Sequence, residues 1–164
     1  MKLKITSGEV LVGDPCYLGR YEFNSIELPN GEYNVNTVML KLDALGGGEY
    51  VKELVLLAKG VKSNSMKWTE EFGISVDSGL AGFFDSDTEQ LGDIYLDKWY
   101  DNHIFDMEGY ASETLNSGAV VSLAGIGDGI YSVFVAEQNG VIVGVKIAYF
   151  SEKDVLYYNT PSLD

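Results

Sequence analysis

The sequence predicts a mainly β, α+β fold: an antiparallel β-sandwich or barrel-like sheet with one inserted helix near residues 86–102. Three observations predict it. Apolar and polar residues alternate through much of the chain, the period of a half-buried strand. Glycine and Asn-Gly signals break those stretches at short intervals. Only one segment carries clear helical spacing. The 164 residues, 46% hydrophobic and 22% charged, fit one domain, 1–164, with a core of its own.

Residues 1–12 read as one or two short strands around Gly8. Residues 13–19 form a turn, in which Pro15 fixes its own φ and keeps Asp14 out of the helical region. Pro29-Asn30-Gly31 is a second turn, and Glu32 to Leu42 alternates as a strand. Gly46-Gly47-Gly48 ends it, and Tyr50 to Ala58 reads as the return arm of a hairpin. Phe72, Ile74 and Val76 share one face of a strand over 66–76. Ser86 and Glu89 have capping-box spacing, and Leu91, Ile94, Tyr95 and Trp99 recur at helical intervals after them. Ala119 to Leu123, Ile130 to Ala136 and Val141 to Phe150 are strands, the last two joined at Asn139-Gly140. Val155 to Tyr158 is expected to add an edge strand. No internal repeat stands out.

Composition narrows the function classes. The formal charge of −14 disfavours DNA or RNA as a ligand, because such a surface repels phosphates. It suits solubility, a cation, or a basic protein partner. One cysteine excludes an internal disulfide, and one histidine excludes a His-rich zinc site. Nucleotide-binding glycine fingerprints are missing. No apolar run reaches the ~18 residues of a membrane helix, and the first residues lack a signal-peptide pattern. A cytoplasmic protein without a cofactor is expected, its oligomeric state open.

The unusual residues cluster in three Asp/Gly segments. They are Asp14-Pro15-Cys16-Tyr17, Val76-Asp77-Ser78-Gly79 running on to Gly82-Phe83-Phe84-Asp85, and Gly127-Asp128-Gly129-Ile130-Tyr131-Ser132-Val133. Together with Gly31-Glu32-Tyr33-Asn34-Val35, and in this order, they resemble an uncharacterised domain family of bacteria and their phages. That family is marked by DPCY, GxYxV, VDSGxxGFFD and GDGxYxV motifs. The resemblance implies a β-dominated fold and a role in host–phage or toxin conflict, but no defined activity.

Read residue by residue, most of these features have a structural explanation beside a functional one. Asp77 follows a buried strand and precedes Ser-Gly, as the catalytic carboxylate of an aspartic protease does; there two such loops share one proton. Leu80 departs from that pattern and no glycine-rich flap follows, so hydrogen bonding of Asp77 to its own turn amides is the favoured explanation. Asp85 and Asp87 open like a calcium loop, but Gln90 and Leu96 stand where glycine and glutamate are required. An irregular cation site joining Asp77 or Asp85 to Asp14 or Asp128 is the remaining metal reading. Asp128, between two glycines, reads as turn chemistry or as part of a concave binding rim. Cys16 and His103 form the only conceivable Cys–His pair. Tyr17, Tyr21, Trp68, Phe83, Phe84, Tyr131 and Tyr149 would make an aromatic pocket if the turns converged, or a sheet core if not.

The expectation is therefore a binding module. Its candidate ligand-binding residues are Asp14, Cys16, Tyr17, Asp77, Ser78, Asp85, Asp128 and Tyr131. It would take a protein or small ligand, with a DNA-mimicking acidic run from Asp85 to Glu108 as one version. The rival is an Asp-dependent hydrolase, either an aspartic-protease-like dimer or a metal-assisted enzyme. A structural assembly part is a third class.

Overall fold

In the computed structural model, residues 1–19, 23–89 and 109–159 are described. The predicted helix begins where expected, with one turn α1 (Ser86–Glu89), and its remainder lies outside the described residues. So do His103, Tyr21 and most of the acidic run to Glu108. No helix among the described residues is long and apolar enough to cross a membrane.

The fold is mainly β, with two antiparallel sheets packed face to face. The strands are β1 (Lys2–Ile5), β2 (Glu9–Gly13), β3 (Asn24–Glu27), β4 (Gly31–Leu42), β5 (Gly48–Ala58), β6 (Thr69–Val76), β7 (Leu80–Asp85), β8 (Ala111–Thr114), β9 (Ala119–Leu123), β10 (Gly129–Gln138) and β11 (Val141–Ala148). One sheet has six strands in the order β1-β4-β5-β11-β10-β6; the other has five, β3-β2-β7-β9-β8. Their facing surfaces form the main core, with Leu3, Val12, Val35, Leu56, Phe83, Val133 and Ile147 fully buried. A smaller cluster of Leu11, Leu18, Phe84 and Val121 covers the outer face of the second sheet, with Phe23 and Leu115 packed on it.

Two sequence expectations are corrected. Leu80–Asp85 is a central strand rather than part of a turn, and every one of its residues is buried. Burial on both faces removes the period-two signal that marks half-buried strands. Residues Glu152–Asn159 form a helix, α2, rather than an edge strand. Ser151 and Asp154 cap it: Asp154 accepts from the Ser151 amide and hydroxyl, and Ser151 Oγ accepts from the Asp154 amide.

The chain also contains a repeat, contrary to expectation. Ser7-Gly8 is followed after five residues by Asp14, and Ser78-Gly79 after five residues by Asp85. Gly-x-Tyr-x-Val then occurs in each half, at Gly31–Val35 and Gly129–Val133. Matching these positions equates β1 with β6, β2 with β7, β3 with β9, β4 with β10 and β5 with β11. The pairing obeys the match: Leu3 faces Tyr33 as Ile74 faces Tyr131, and Ile5 faces Gly31 as Val76 faces Gly129. Exchanging the halves carries Leu11–Phe84 onto Gly82–Gly13, leaving Val12–Phe83 at the centre. In the other sheet it carries Val145–Leu56 onto Leu54–Ile147, leaving Lys146–Val55 at the centre. Both hairpins bulge at the equivalent place, Val38/Met39 and Ala136/Glu137. The sandwich is thus two interlocked copies of one unit about a pseudo-twofold axis. The halves differ most in the connection between their second and third strands. It is short at 14–23 and long at 86–118, where it includes α1 and β8.

Candidate functional site

The first two turns meet because one carboxylate joins them. Asp14, at the end of β2, is 1% exposed. Its Oδ1 accepts from the Cys16 amide at 2.8 Å and the Ser78 hydroxyl at 2.6 Å. Its Oδ2 accepts from the amides of Asp77 at 2.7 Å and Ser78 at 2.8 Å. A buried charge needs such saturation, since each missing bond would leave it desolvated without compensation. Asp14 therefore fixes the point where the chain leaves β6 and enters β7. The third turn lies alongside: Gly129 pairs with Val76, and the Ala124 amide donates to the Gly79 carbonyl at 2.9 Å.

Asp85 does not join them. It sits at the opposite end of β7 and makes the equivalent clamp there, 3% exposed. It accepts from the amides of Thr6 at 3.2 Å and Ser7 at 3.1 Å, and from their hydroxyls at 2.6 Å and 2.5 Å. Burial raises its carboxyl, but these bonds from Ser7 and Thr6 outweigh it and hold the group below the ordinary carboxylate range. Tyr131 is a core residue that braces the third turn. Its hydroxyl donates to the Gly127 carbonyl at 2.6 Å, as that of its counterpart Tyr33 does to Pro29 at 2.7 Å, and its ring meets Tyr149 edge to face at 5.2 Å.

What remains open to solvent is Asp77, Tyr17 and Asp128. Asp77 and Asp128 are exposed, and Tyr17 and Cys16 are half-buried. The Tyr17 hydroxyl donates to Asp77 Oδ2. That bond, then desolvation, then the neighbouring charges of Asp77, Cys16 and Asp14 push the phenol up from its ordinary value. Asp77, Tyr17 and the buried Asp14 line one end of a cleft of about 520 Å³ between the β6 edge and β2–β3, where Phe23, Gly73 and Ser75 also contribute; Asp128 lies outside it. A second hollow of about 350 Å³ lies beyond the third turn, among Asp128, Ile130, Tyr149 and Tyr158.

The aromatics weighed as pocket or sheet core divide between the two: Tyr17 lines the cleft and Tyr131 and Tyr149 the second hollow, and Tyr21 lies outside the described residues. Phe83 and Phe84 are fully buried in the two layers of packing, Tyr149 is buried beside Ser122, and Trp68 lies under Lys146 on the six-stranded sheet. Phe23, which no motif marks, takes part in the cleft. Among the described residues no group of three or more His, Cys, Asp or Glu side chains is arranged to hold a metal ion. Comparison of the sequence with protein-family models and curated proteins, and of the fold with solved structures, gives no match.

Proposed function

We propose that the protein is a binding module whose recognition surface is the cleft and turn face formed by Asp14-Pro15-Cys16-Tyr17, Asp77-Ser78 and Asp128, and that its partner is a protein with a basic patch. The observation that carries this reading is the division of labour between Asp14 and Asp77. The buried carboxylate is saturated by four donors within the fold, while the exposed one stands at the cleft mouth with Tyr17 on it. The formal charge of −14 favours a cationic partner and speeds its encounter.

The hydrolase reading finds less support. A proton-sharing pair needs two carboxylates facing each other. Asp14 instead accepts from the main chain of Asp77, whose own carboxylate accepts from a phenol.

The test is capture from bacterial lysate, with and without phage infection, the setting that the motif resemblance implies. Wild type is compared with an Asp77→Asn/Asp128→Asn variant of unchanged circular dichroism. A partner held by wild type, lost by the variant and released by salt supports the reading. Identical capture by both proteins overturns it.

A further inference from the structure

We propose that the cleft takes an extended, basic segment of the partner, which adds to the outer edge of β6 with its carbonyls on the amides of Gly73 and Ser75 and a Lys or Arg on Asp77. This rests on the binding reading above and specifies its mode.

The fold itself shows what its equivalent edge requires. On β1, alternate amides point away from β4 and are all taken. The Lys2 amide donates to Glu113 Oε2 at 2.6 Å, the Lys4 amide to the Ser117 carbonyl at 2.7 Å, and the Thr6 amide to Asp85. The long connection of the second half thus covers the edge and closes that side of the sandwich. On β6 the counterparts of Lys2, Lys4 and Thr6 are Gly73, Ser75 and Asp77. The Asp77 amide makes the equivalent bond, to Asp14. Strand period then points the amides of Ser75 and Gly73 to the same side, away from β10. Both residues are exposed and line the cleft. Among the described residues, no backbone bond from outside the sheet reaches either. The connection that would cover them, 14–23, is the short one.

An edge with two outward amides one pleat apart matches alternate carbonyls of an extended chain, the geometry of strand addition. Charge selects the chain. The covered edge carries Lys2 and Lys4 and is met by Glu113, whereas the open edge carries Glu71 and Asp77, both exposed. The complementary segment carries basic side chains. Gly73 helps by leaving the approach to the backbone unobstructed.

The probe is the N-acetylated, C-amidated octapeptide Thr-Lys-Val-Arg-Val-Lys-Val-Thr, titrated into the ¹⁵N-labelled full chain. The expected result is saturable shifts at Gly73 and Ser75, with at least tenfold slower exchange of both amides. Replacing its three basic residues by Glu, or N-methylating alternate residues, should weaken binding at least tenfold. The proposal is overturned if millimolar peptide leaves Gly73 and Ser75 unmoved. It is also overturned if both amides are already as protected in the free protein as ladder amides, which would mean that the chain covers its own edge. Shifts that follow protein concentration alone would assign the edge to a second copy and overturn it too. Response at Asp77 and Tyr17 without response on β6 sinks this mode of binding but leaves the cationic-partner reading standing. Response on β6 together with unchanged lysate capture by the Asp77→Asn/Asp128→Asn variant sinks the turn-face reading instead.

Discussion

Thr6 and Asp77 hold the same place in the two halves, and their amides make the same bond. Each donates to the aspartate that ends a strand of the opposite half, Asp85 and Asp14 respectively. Their side chains part. Thr6 Oγ1 donates into Asp85 at 2.6 Å and completes the clamp, while the Asp77 carboxylate accepts from Tyr17 at the cleft. One position serves stability in one half and presents a charge in the other.

Substitution should therefore separate the two uses. Asp77→Thr is expected to keep stability within about 1 kcal/mol, because the amide bond to Asp14 remains and surface changes are usually small. It should abolish capture of the basic partner. Urea unfolding and the lysate experiment measure the two effects. A loss of several kcal/mol would show that Asp77 is structural.

The clamps themselves should be costly to break. Asp14→Asn and Asp85→Asn each replace a saturated acceptor by a group that cannot accept every bond, and should cost about 3 kcal/mol. Ser78→Ala and Ser7→Ala remove one donor each and should cost about 1–2 kcal/mol. Equal effects from serine and aspartate variants would contradict the saturation argument.

The Asp85 clamp should give stability a defined pH dependence. Its carboxyl is lowered in the folded state, so its contribution is fully present above the unfolded value of about 3.9 and is lost as pH falls through the folded one. The stability gap between wild type and Asp85→Asn should stay constant from neutral pH to about 5 and shrink below about 4. Chemical denaturation across that range checks it; a gap that widens in acid has the wrong sign.

Tyr17 should ionise above the ordinary tyrosine value of about 10. Asp77→Asn removes the charge and leaves only a neutral acceptor for the phenol, and should return it toward that value. Ultraviolet difference titration against Tyr17→Phe isolates the signal. An unchanged titration in Asp77→Asn would separate the two residues in solution.

Gly82 lies where β7 passes between β2 and β9. A Cβ there would stand 2.3 Å from the Val120 carbonyl oxygen, a main-chain atom held in its ladder. At Gly13, opposite it, a Cβ would meet the Phe23 ring at 2.6 Å, and a side chain can turn aside. Gly82→Ala should thus cost at least about 2 kcal/mol and more than Gly13→Ala. The reverse order in thermal unfolding would refute the close approach.

Much of the fold was legible in the residues. Alternation marked β4 and the end of β6, because those strands bury one face, while β5, β10 and β11 stood out as apolar stretches between glycine signals. β7 carries no alternation because both its faces are covered, and α2 is masked by four successive apolar and aromatic positions, its start signalled only by the Ser151–Asp154 cap. The repeat was written plainly as two Ser-Gly-x5-Asp and two Gly-x-Tyr-x-Val stretches. Unequal connections destroy any fixed period, so the two copies do not stand out along the chain.

The sequence by itself thus determined that the protein is β-rich and acidic, and that its odd residues are aspartates and glycines gathered in three short segments. Only the tertiary structure decided which aspartate does what. Asp14 and Asp85 became clamps because strand ends from the opposite half bring amides and hydroxyls to them, which Asp77 lacks. Whether a carboxylate is consumed or free depends on donors that are distant in sequence, and no local pattern records them.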